Sequence, residues 1–501
     1  MRLPYAVRPR SDVGANRTNV HGCRPLASLG RRAVGPRLAR KRADCEPSAP
    51  HAIRNCRFPA CSGKLSERPD REFGVTPFLS PILPISLRGE TGASNGPVDD
   101  SGACAAVTSL AFAFAFALVA VLGLVQCFAG WAAVRRFVAT PATAPRNLPP
   151  VTILRPLCGD EPFLADALLT CCRQDYPVFQ IVFGVRSAAD PALAEVRKLA
   201  ENFPACDISI VVDSTPHGRN RKIANLINML PSARHDVLVF SDSDLHLAPD
   251  YLARLVATLE KPNAGLVTTV CVSRAAHTRL PSRLAAAHIR YSFLPGALLA
   301  IALGRRDCLG TTMALYRQTL ERSGGLRALA DHVADDNVLG QRVAALGLDV
   351  RVADTIPAAT VSESTWKAMW QHEMRWARTI RALVPLSFGV SVVQYPLCWA
   401  LLAFVASGGT SAFAALVGVV WIARAATAGA IDHALKPKLA ARDIEPAVPV
   451  WLLPLRDIVS VVEILASYYS DRVVWRGFAM DVDNGAPGVP VPELNGIESG
   501  V

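Results

Sequence analysis

The stretch Asp236-Val237-Leu238-Val239-Phe240-Ser241-Asp242-Ser243-Asp244 decides the fold. An apolar, β-rich run ends in two carboxylates separated by one residue. Similar runs precede it: VTIL (Val151–Leu154), QIVFGV (Gln180–Val185) and ISIVV (Ile208–Val212). Helix-like stretches lie between them, at Pro162–Cys172, Pro191–Asn202 and Arg221–Leu230. Pro162 and Pro191 suit a first helical turn, and Asp190 suits an N-cap. Strands alternating with helices from Val151 to about Asp354 predict an α/β domain, a mainly parallel sheet with helices on both faces. Such sheets take ligands beyond the carboxyl ends of their strands, which is where Asp242 and Asp244 fall.

Outward from this domain the pattern becomes apolar. No charged residue lies between Asp100 and Arg135, and the run is long enough for a helix across a hydrocarbon core of ~30 Å. An Ala-Phe alternation inside it mimics a strand, but the length favours a transmembrane helix. Arg135, Arg136 and Arg146 follow the run, whereas Glu90, Asp99 and Asp100 precede it. The positive-inside rule therefore places the next domain in the cytoplasm. After Arg381, Leu383–Val405 and Ala412–Ile431 read as two spans separated by Gly408 and Gly409. Val448–Tyr469 is a third candidate, but Arg456, Asp457 and Glu463 are costly in lipid. It reads as interfacial or as buried in a bundle. The expected division is residues 1–100 as a disordered basic Arg/Pro-rich extension, 101–134 as an N-terminal transmembrane helix and 150–382 as a cytoplasmic domain. Residues 383–470 then form a C-terminal region with two or three spans, and 471–501 a tail.

The bulk composition agrees. Of 501 residues, 51% are hydrophobic and 19% charged, apolar for a soluble protein of this size. The net charge is +11, much of it from the first hundred residues, so it says little about the folded core. With long apolar runs present, the basic balance points to a membrane surface and not to nucleic acid. That first segment reads as a solvated basic tail, a targeting arm or an over-extended start. It is not an ordinary secretory signal, because no apolar core follows its basic beginning. The 13 cysteines include no CxxC pair, so neither a disulfide scaffold nor a zinc site is expected. They read as small buried hydrophobes in a reducing compartment.

Three motifs carry chemistry. Asp242 and Asp244, at a strand end, can hold a hard divalent cation, although such triplets also arise by chance or cap helices. Val333-Ala334-Asp335-Asp336-Asn337 opens a helix-like segment. One of its carboxylates can act as a general base, and an Asp pair at a helix start is also ordinary capping. Gln371-His372-Glu373-Met374-Arg375-Trp376 lies in a helix-like stretch with Trp366, Met369 and Trp370. Its arginines can meet a diphosphate, and an amphipathic interfacial helix with solvated basic residues reads the same way. His372-Glu373 begins like a zinc-protease motif, but position 376 is Trp and not the second His, which excludes zinc.

Taken together, the three motifs resemble the inverting glycosyltransferases of the family-2 superfamily, with their D, DxD, acidic base and (Q/R)xxRW box. The chain is more similar still to the ceramide glucosyltransferase family and its bacterial relatives, including hopanoid-biosynthesis glycosyltransferases, from about Val151 to Pro385. Leu154-Arg155-Pro156-Leu157-Cys158-Gly159 resembles the family's KPLxG, with Arg for Lys. Gln174-Asp175-Tyr176-Pro177 matches its DYP, and Ala189-Asp190-Pro191-Ala192 its DPA. Asn220-Arg221-Lys222-Ile223-Ala224-Asn225-Leu226 resembles NxKxNNL, and Cys308-Leu309-Gly310-Thr311-Thr312 resembles the acceptor-side CVTGM. The last box departs at its first position, where His372 stands for Gln or Arg. The acceptor-region histidine of the ceramide enzymes has no counterpart, since the chain reads Leu294-Pro295-Gly296.

The resemblance implies a GT-A type, Rossmann-like α/β domain and transfer from a UDP-sugar to a lipid hydroxyl with inversion. Asp190 and Lys222 would hold the nucleotide. Asp242, with Asp244, would bind Mg2+ or Mn2+ on the diphosphate. Asp336 would be the base, while Arg375 and Trp376 of the last box would steady the leaving group and close the site, with His372 as that box's catalytic first position. The acceptor would be a hopanoid taking N-acetylglucosamine or a ceramide taking glucose, at a multi-pass site in a bacterial inner membrane. The rival readings are a processive polysaccharide synthase, which carries more spans, and a non-catalytic membrane scaffold.

Overall fold

The computed structural model describes residues 100–439, 447–475 and 478–481. The basic extension expected over 1–100 lies outside the described residues except at its last position, and the end of the tail lies wholly outside them. The strands are β1 (Val151–Pro156), β2 (Phe179–Val185), β3 (Asp207–Val212), β4 (Val237–Ser241), β5 (Leu245–His246), β6 (Ala264–Thr268), β7 (Val272–Ala275), β8 (Thr312–Tyr316), β9 (Asp349–Val352) and β10 (Ala358–Val361), with a hairpin β11 (Arg472–Trp475) and β12 (Phe478–Asp481). The helices are α1 (Asp100–Ala139), α2 (Leu164–Cys172), α3 (Ala192–Asn202), α4 (Arg221–Met229), α5 (Tyr251–Leu259), α6 (Leu280–His288), α7 (Leu294–Ala302), α8 (Arg317–Arg322), α9 (Asp335–Ala345), α10 (Trp366–Leu383), α11 (Pro385–Val390), α12 (Pro396–Ala406), α13 (Ser411–Leu435) and α14 (Leu453–Ser467).

Seven strands form one sheet in the order β3-β2-β1-β4-β8-β6-β9. β1 runs parallel to β2 and β4, β2 to β3, and β6 to β9, whereas β8 is antiparallel to both of its neighbours. The sheet is thus mainly parallel, as expected, with one reversed strand. β5, β10 and β7 make a small second sheet under the carboxyl end of β4. The chain turns from β1 outward through β2 and β3, then returns to place β4 on the other side of β1. The crevice beyond β1 and β4 is the switch point at which such sheets bind ligands.

The apolar strand runs are explained by two-sided burial. Ile153 of β1, Ile181 and Phe183 of β2 and Val239 of β4 point into one layer, with α2, α3, α5 and the buried side of α1. Leu154, Val182, Leu238 and Phe240 point into the other, with Ile223 and Leu226 of α4 and Leu339 and Val343 of α9. Each fully buried side chain of this kind contributes about 1.5–3 kcal/mol. β3 at the edge is less covered, leaving Ile210 and Val212 exposed.

Among the described residues, three helical stretches are long and apolar enough to cross a membrane: Val107–Ala139, Leu280–Ala302 and Ser411–Lys438. A fourth is formed if Pro385–Gln394 and Pro396–Ala406, bent by 69° at their junction, count as one broken span. The apolar run Leu383–Val405 predicts one unbroken span, and the bend corrects that expectation. Pro396, which cannot donate into the preceding turn, sits at the bend. The stretch Leu280–Ala302, read as part of the α/β domain, is instead α6 and α7 joined through a π-helical turn at Ile289–Phe293. It packs on α1, and Gly130 admits Pro295, since a Cβ there would stand 2.9 Å from the proline ring. On α1, Phe112, Phe114, Leu118 and Val125 remain exposed, an outward apolar face that suits lipid. α14 reverses the usual amphipathic order. It buries Arg456, Asp457, Ser460 and Glu463 and exposes Ile458, Val462 and Leu465.

Candidate active site

The site is assembled at the carboxyl end of β4. Beneath it lies Arg155 of β1, fully buried. Its guanidinium donates to the backbone carbonyl of Asp242 (2.9 Å), to that of Ala167 (3.1 Å), to the Leu245 carbonyl and to Cys171 Sγ (2.6 Å). The loop carrying both aspartates is therefore held from below by a planar, permanently charged fork. On the other flank, β8 pairs with β4 so that Thr312 lies opposite Ser241. The Asp242 N–H donates to the Thr311 carbonyl at 3.2 Å. This brings the segment Cys308–Thr312 against the same strand end.

Helix α4 delivers Lys222. Asn220 caps that helix, its side chain accepting from Ile223 N–H at 3.1 Å. Asn225 donates to the Gly184 carbonyl of β2 at 2.8 Å, holding the helix down on the sheet. Lys222 then reaches Asp242, Nζ to Oδ1, at 2.6 Å. The Asn220 amide also donates to the His332 carbonyl (2.8 Å) and to Asp335 Oδ1 (3.1 Å). One residue thus ties the start of α4 to the start of α9.

The acidic start of α9 closes the site. Asp335 and Asp336 occupy its first turn, where the helix dipole favours negative charge. Gly310, with φ of +78°, lies directly against Asp336, and a Cβ there would come within 2.4 Å of Asp336 Oδ2. Burial, with Asp335 as an added like charge, pushes the Asp336 carboxyl up to about 7. Burial also raises Asp335, against the pull of Lys222, and Asp335 Oδ2 has no hydrogen-bond partner. The Asp244 carboxyl is likewise pushed up to about 7, by burial and then by Asp242 and Glu161. Glu161 accepts a hydrogen bond from Ser243 Oγ at 2.6 Å. Burial would lower Lys222, but Asp242, Asp335 and Asp336 offset this and hold its ammonium above the ordinary lysine value.

Asp190 serves a different edge of the crevice. Its carboxylate accepts from Gly159 N–H at 2.9 Å and from Ala192 N–H at 3.0 Å, joining the loop after β1 to the start of α3. The expected capping role is thus filled, together with a loop-holding role that the helix pattern does not reveal. The last box lies on α10, which Thr365 caps by accepting from Ala368 N–H at 3.2 Å. Its link to the aspartates runs through the small sheet. The Thr360 N–H of β10 donates to the Asp244 carbonyl at 3.1 Å. Glu363, three residues on, is buried and paired with His372 Nδ1. His372 packs edge-on against Trp376, with ring centroids 4.6 Å apart, and Trp376 meets Phe293 at 6.3 Å. The structure thus brings Asp242, Asp244, Lys222 and Asp336 into one cluster. It sets Asp190 on the β1 loop, and it places His372 and Trp376 in an aromatic group on α10 beside half-buried Arg375.

Residues 114–487 match the profile of glycosyl transferase family 21. The chain belongs to that family. Among curated relatives, it is 24% identical to ceramide glucosyltransferase 1 of Caenorhabditis elegans over 254 residues, covering 50% of this chain and 53% of the relative. It is 33% identical to the ceramide glucosyltransferase of Gibberella zeae over 124 residues, covering 23% of this chain and 24% of the relative. The chain therefore matches about half the length of the nematode relative and about a quarter of the fungal one. Among solved structures, it is similar to a mannosyltransferase from Pyrobaculum calidifontis in complex with GDP-Man and Mn2+, at 21% identity and a TM-score of 0.40, covering 70% of this chain and 99% of that one.

Three residues of this family-21 site were not singled out by sequence. Glu161 sits in Cys158-Gly159-Asp160-Glu161 with no motif to mark it. Asp335 was overshadowed by its neighbour, although the adjacent pair was a visible signal. Arg155 stood out only as a replacement for Lys. Among the described residues, no group of three His, Cys, Asp or Glu side chains is placed to hold an ion alone. The donor set nevertheless suits a hard cation shared with phosphate, which needs only one or two carboxylates from the protein. Burial is the first cause of the raised Asp244 carboxyl and repulsion from Asp242 and Glu161 adds to it; such a cation would relieve that repulsion.

Proposed function

We propose that this family-21 glycosyltransferase moves a hexose from a UDP-sugar to the hydroxyl of a membrane lipid, with inversion. The observation that carries the reading is the cluster of Lys222, Asp242, Asp244 and Asp336 at the end of β4, in a chain whose flanking helices are apolar on the outside. Asp190 and Lys222 bind the nucleotide part of the donor. Asp242 and Asp244 are the ligands for Mg2+ or Mn2+, and the ion when bound neutralises diphosphate charge. Asp336 takes the proton from the acceptor hydroxyl as its oxygen bonds to the anomeric carbon and the bond from that carbon to the diphosphate breaks. A carboxyl raised to about 7 by its surroundings matches a base working near neutral pH. Lys222 and Arg375 face the charge that develops on the leaving diphosphate, while His372 and Trp376 shape that side of the site.

The named relatives favour ceramide and glucose, and the hopanoid alternative rests on the motif resemblance. The basic residues after α1 favour a cytoplasmic site at a bacterial inner membrane. The test is the purified chain in nanodiscs with UDP-glucose or UDP-N-acetylglucosamine and either ceramide or a hopanoid polyol. A β-linked glycolipid formed only with a divalent cation is the expected product. A retained α-linkage, or donor use without any lipid product, overturns the reading.

A further inference from the structure

A groove of about 420 Å3 lies between the first turns of α10 and the middle of α14, lined by Trp366, Lys367, Met369, Trp370, Ile458 and Val462, together with Val459. One water needs only ~10–15 Å3 of such space, so the groove has room for a length of chain and not merely a small polar group. Its walls are aliphatic and aromatic. Trp366 and Trp370 are 48% and 38% exposed and Val462 is 47% exposed, so the groove opens outward.

Three observations decide what fits it. First, α14 is inverted, with Arg456 and Glu463 buried and Ile458, Val462 and Leu465 turned out. Arg456 bonds to Glu373 of α10 at 2.9 Å and to Glu463 at 2.6 Å, so the polar side of α14 is spent inside the protein. An outer face of this kind is stable against hydrocarbon and not against water. Second, α14 packs against α12 and α13, which fall in the stretches apolar enough to cross a membrane. Third, the rim carries two indoles and the ammonium of exposed Lys367, the residue types that sit at the headgroup level of a bilayer.

We infer that this groove seats one acyl chain of a membrane phospholipid, with the lipid's phosphate at Lys367. The seat lies on the back of the box helix. At about 100° per residue, His372 and Trp376 project from the side of α10 away from Trp370, and Glu373, on the groove side, is already held by Arg456. The occupant is therefore a bilayer lipid that fixes α10 to the membrane, and not the acceptor whose hydroxyl reacts. The inference does not depend on sugar transfer.

The test uses the full chain in nanodiscs containing phosphatidylglycerol with a diazirine on one acyl chain, followed by illumination and peptide mapping. Labelling should concentrate on Trp366–Trp370 and Ile458–Val462, above the level on Phe112 and Phe114 of α1, which face bulk lipid. Val462→Trp, which fills the groove, should reduce it to the α1 level. Lys367→Gln, a change at an exposed residue that leaves packing intact, should lower it about fivefold, the ratio corresponding to ~1 kcal/mol for one basic residue at an anionic surface. Labelling no higher than on α1 and unchanged by both substitutions overturns the inference. So does displacement of the label by added ceramide, which would assign the groove to the acceptor.

Discussion

Replacing Gly310 by Ala tests the site without touching a charged group. Gly310 has φ of +78°, and an added Cβ would lie 2.4 Å from Asp336 Oδ2 and 3.0 Å from its Cγ. Ordinary contact begins near 3.4 Å, so the carboxylate must retreat by about 1 Å. The left-handed backbone adds about 1–2 kcal/mol of strain for a residue with a Cβ. A displacement of that size at a reacting group costs on the order of a hundredfold in rate. Lys222 and Asp242 are not displaced, so donor binding should persist. The assay is single-turnover transfer from radiolabelled UDP-sugar to lipid, with donor affinity measured by calorimetry on the same preparation. The expected result is a kcat reduced about a hundredfold with an unchanged donor Kd and a folded, monodisperse protein. Normal turnover would refute the placement of Asp336 at the reaction centre. Loss of donor binding in step with rate would show that the loop, and not the base, had been disturbed.

Other outcomes follow from the same geometry. Because Asp336 is raised to about 7, its base form is lost as pH falls through that value. The rate should therefore drop about tenfold per unit below it, on a limb belonging to the coupled Asp335–Asp336 pair; a rate flat from pH 5 to 8 contradicts this. Arg155→Met leaves the carbonyls of Asp242, Ala167 and Leu245 without their donor and should cost about 3 kcal/mol, read as a lowered Tm together with weaker cation dependence. Arg456→Met leaves Glu373 and Glu463 buried without a counter-charge and should cost about 3–5 kcal/mol, measured by thermal unfolding in detergent.

The strands β1, β2, β3 and β4 were readable because β1, β2 and β4, covered on both faces, become unbroken apolar runs. Asp242 was readable because it follows one of them. β8 was not, because Thr312–Tyr316 is short and its place between β4 and β6 is set by long-range pairing. Leu280–Ala302 was hidden by the buried Arg290, whose partners Asp432 and the Ser273 carbonyl come from distant parts of the chain. The break in the C-terminal apolar region was legible in Pro396, although the run of apolar residues argued the other way. Lys222 was found by resemblance, but its pairing with Asp242 and the roles of Glu161 and Asp335 depend on four separate loops converging. Glu363 could not be seen at all, since its meaning lies in the position of His372.

Whether Asp336 is the base for sugar transfer to a lipid hydroxyl is decided by the variant Asp336→Asn. A base at Asp336 requires that this variant bind the UDP-sugar with an unchanged Kd and transfer it at least about a hundredfold more slowly than the parent chain. Near-normal turnover by Asp336→Asn would contradict that assignment.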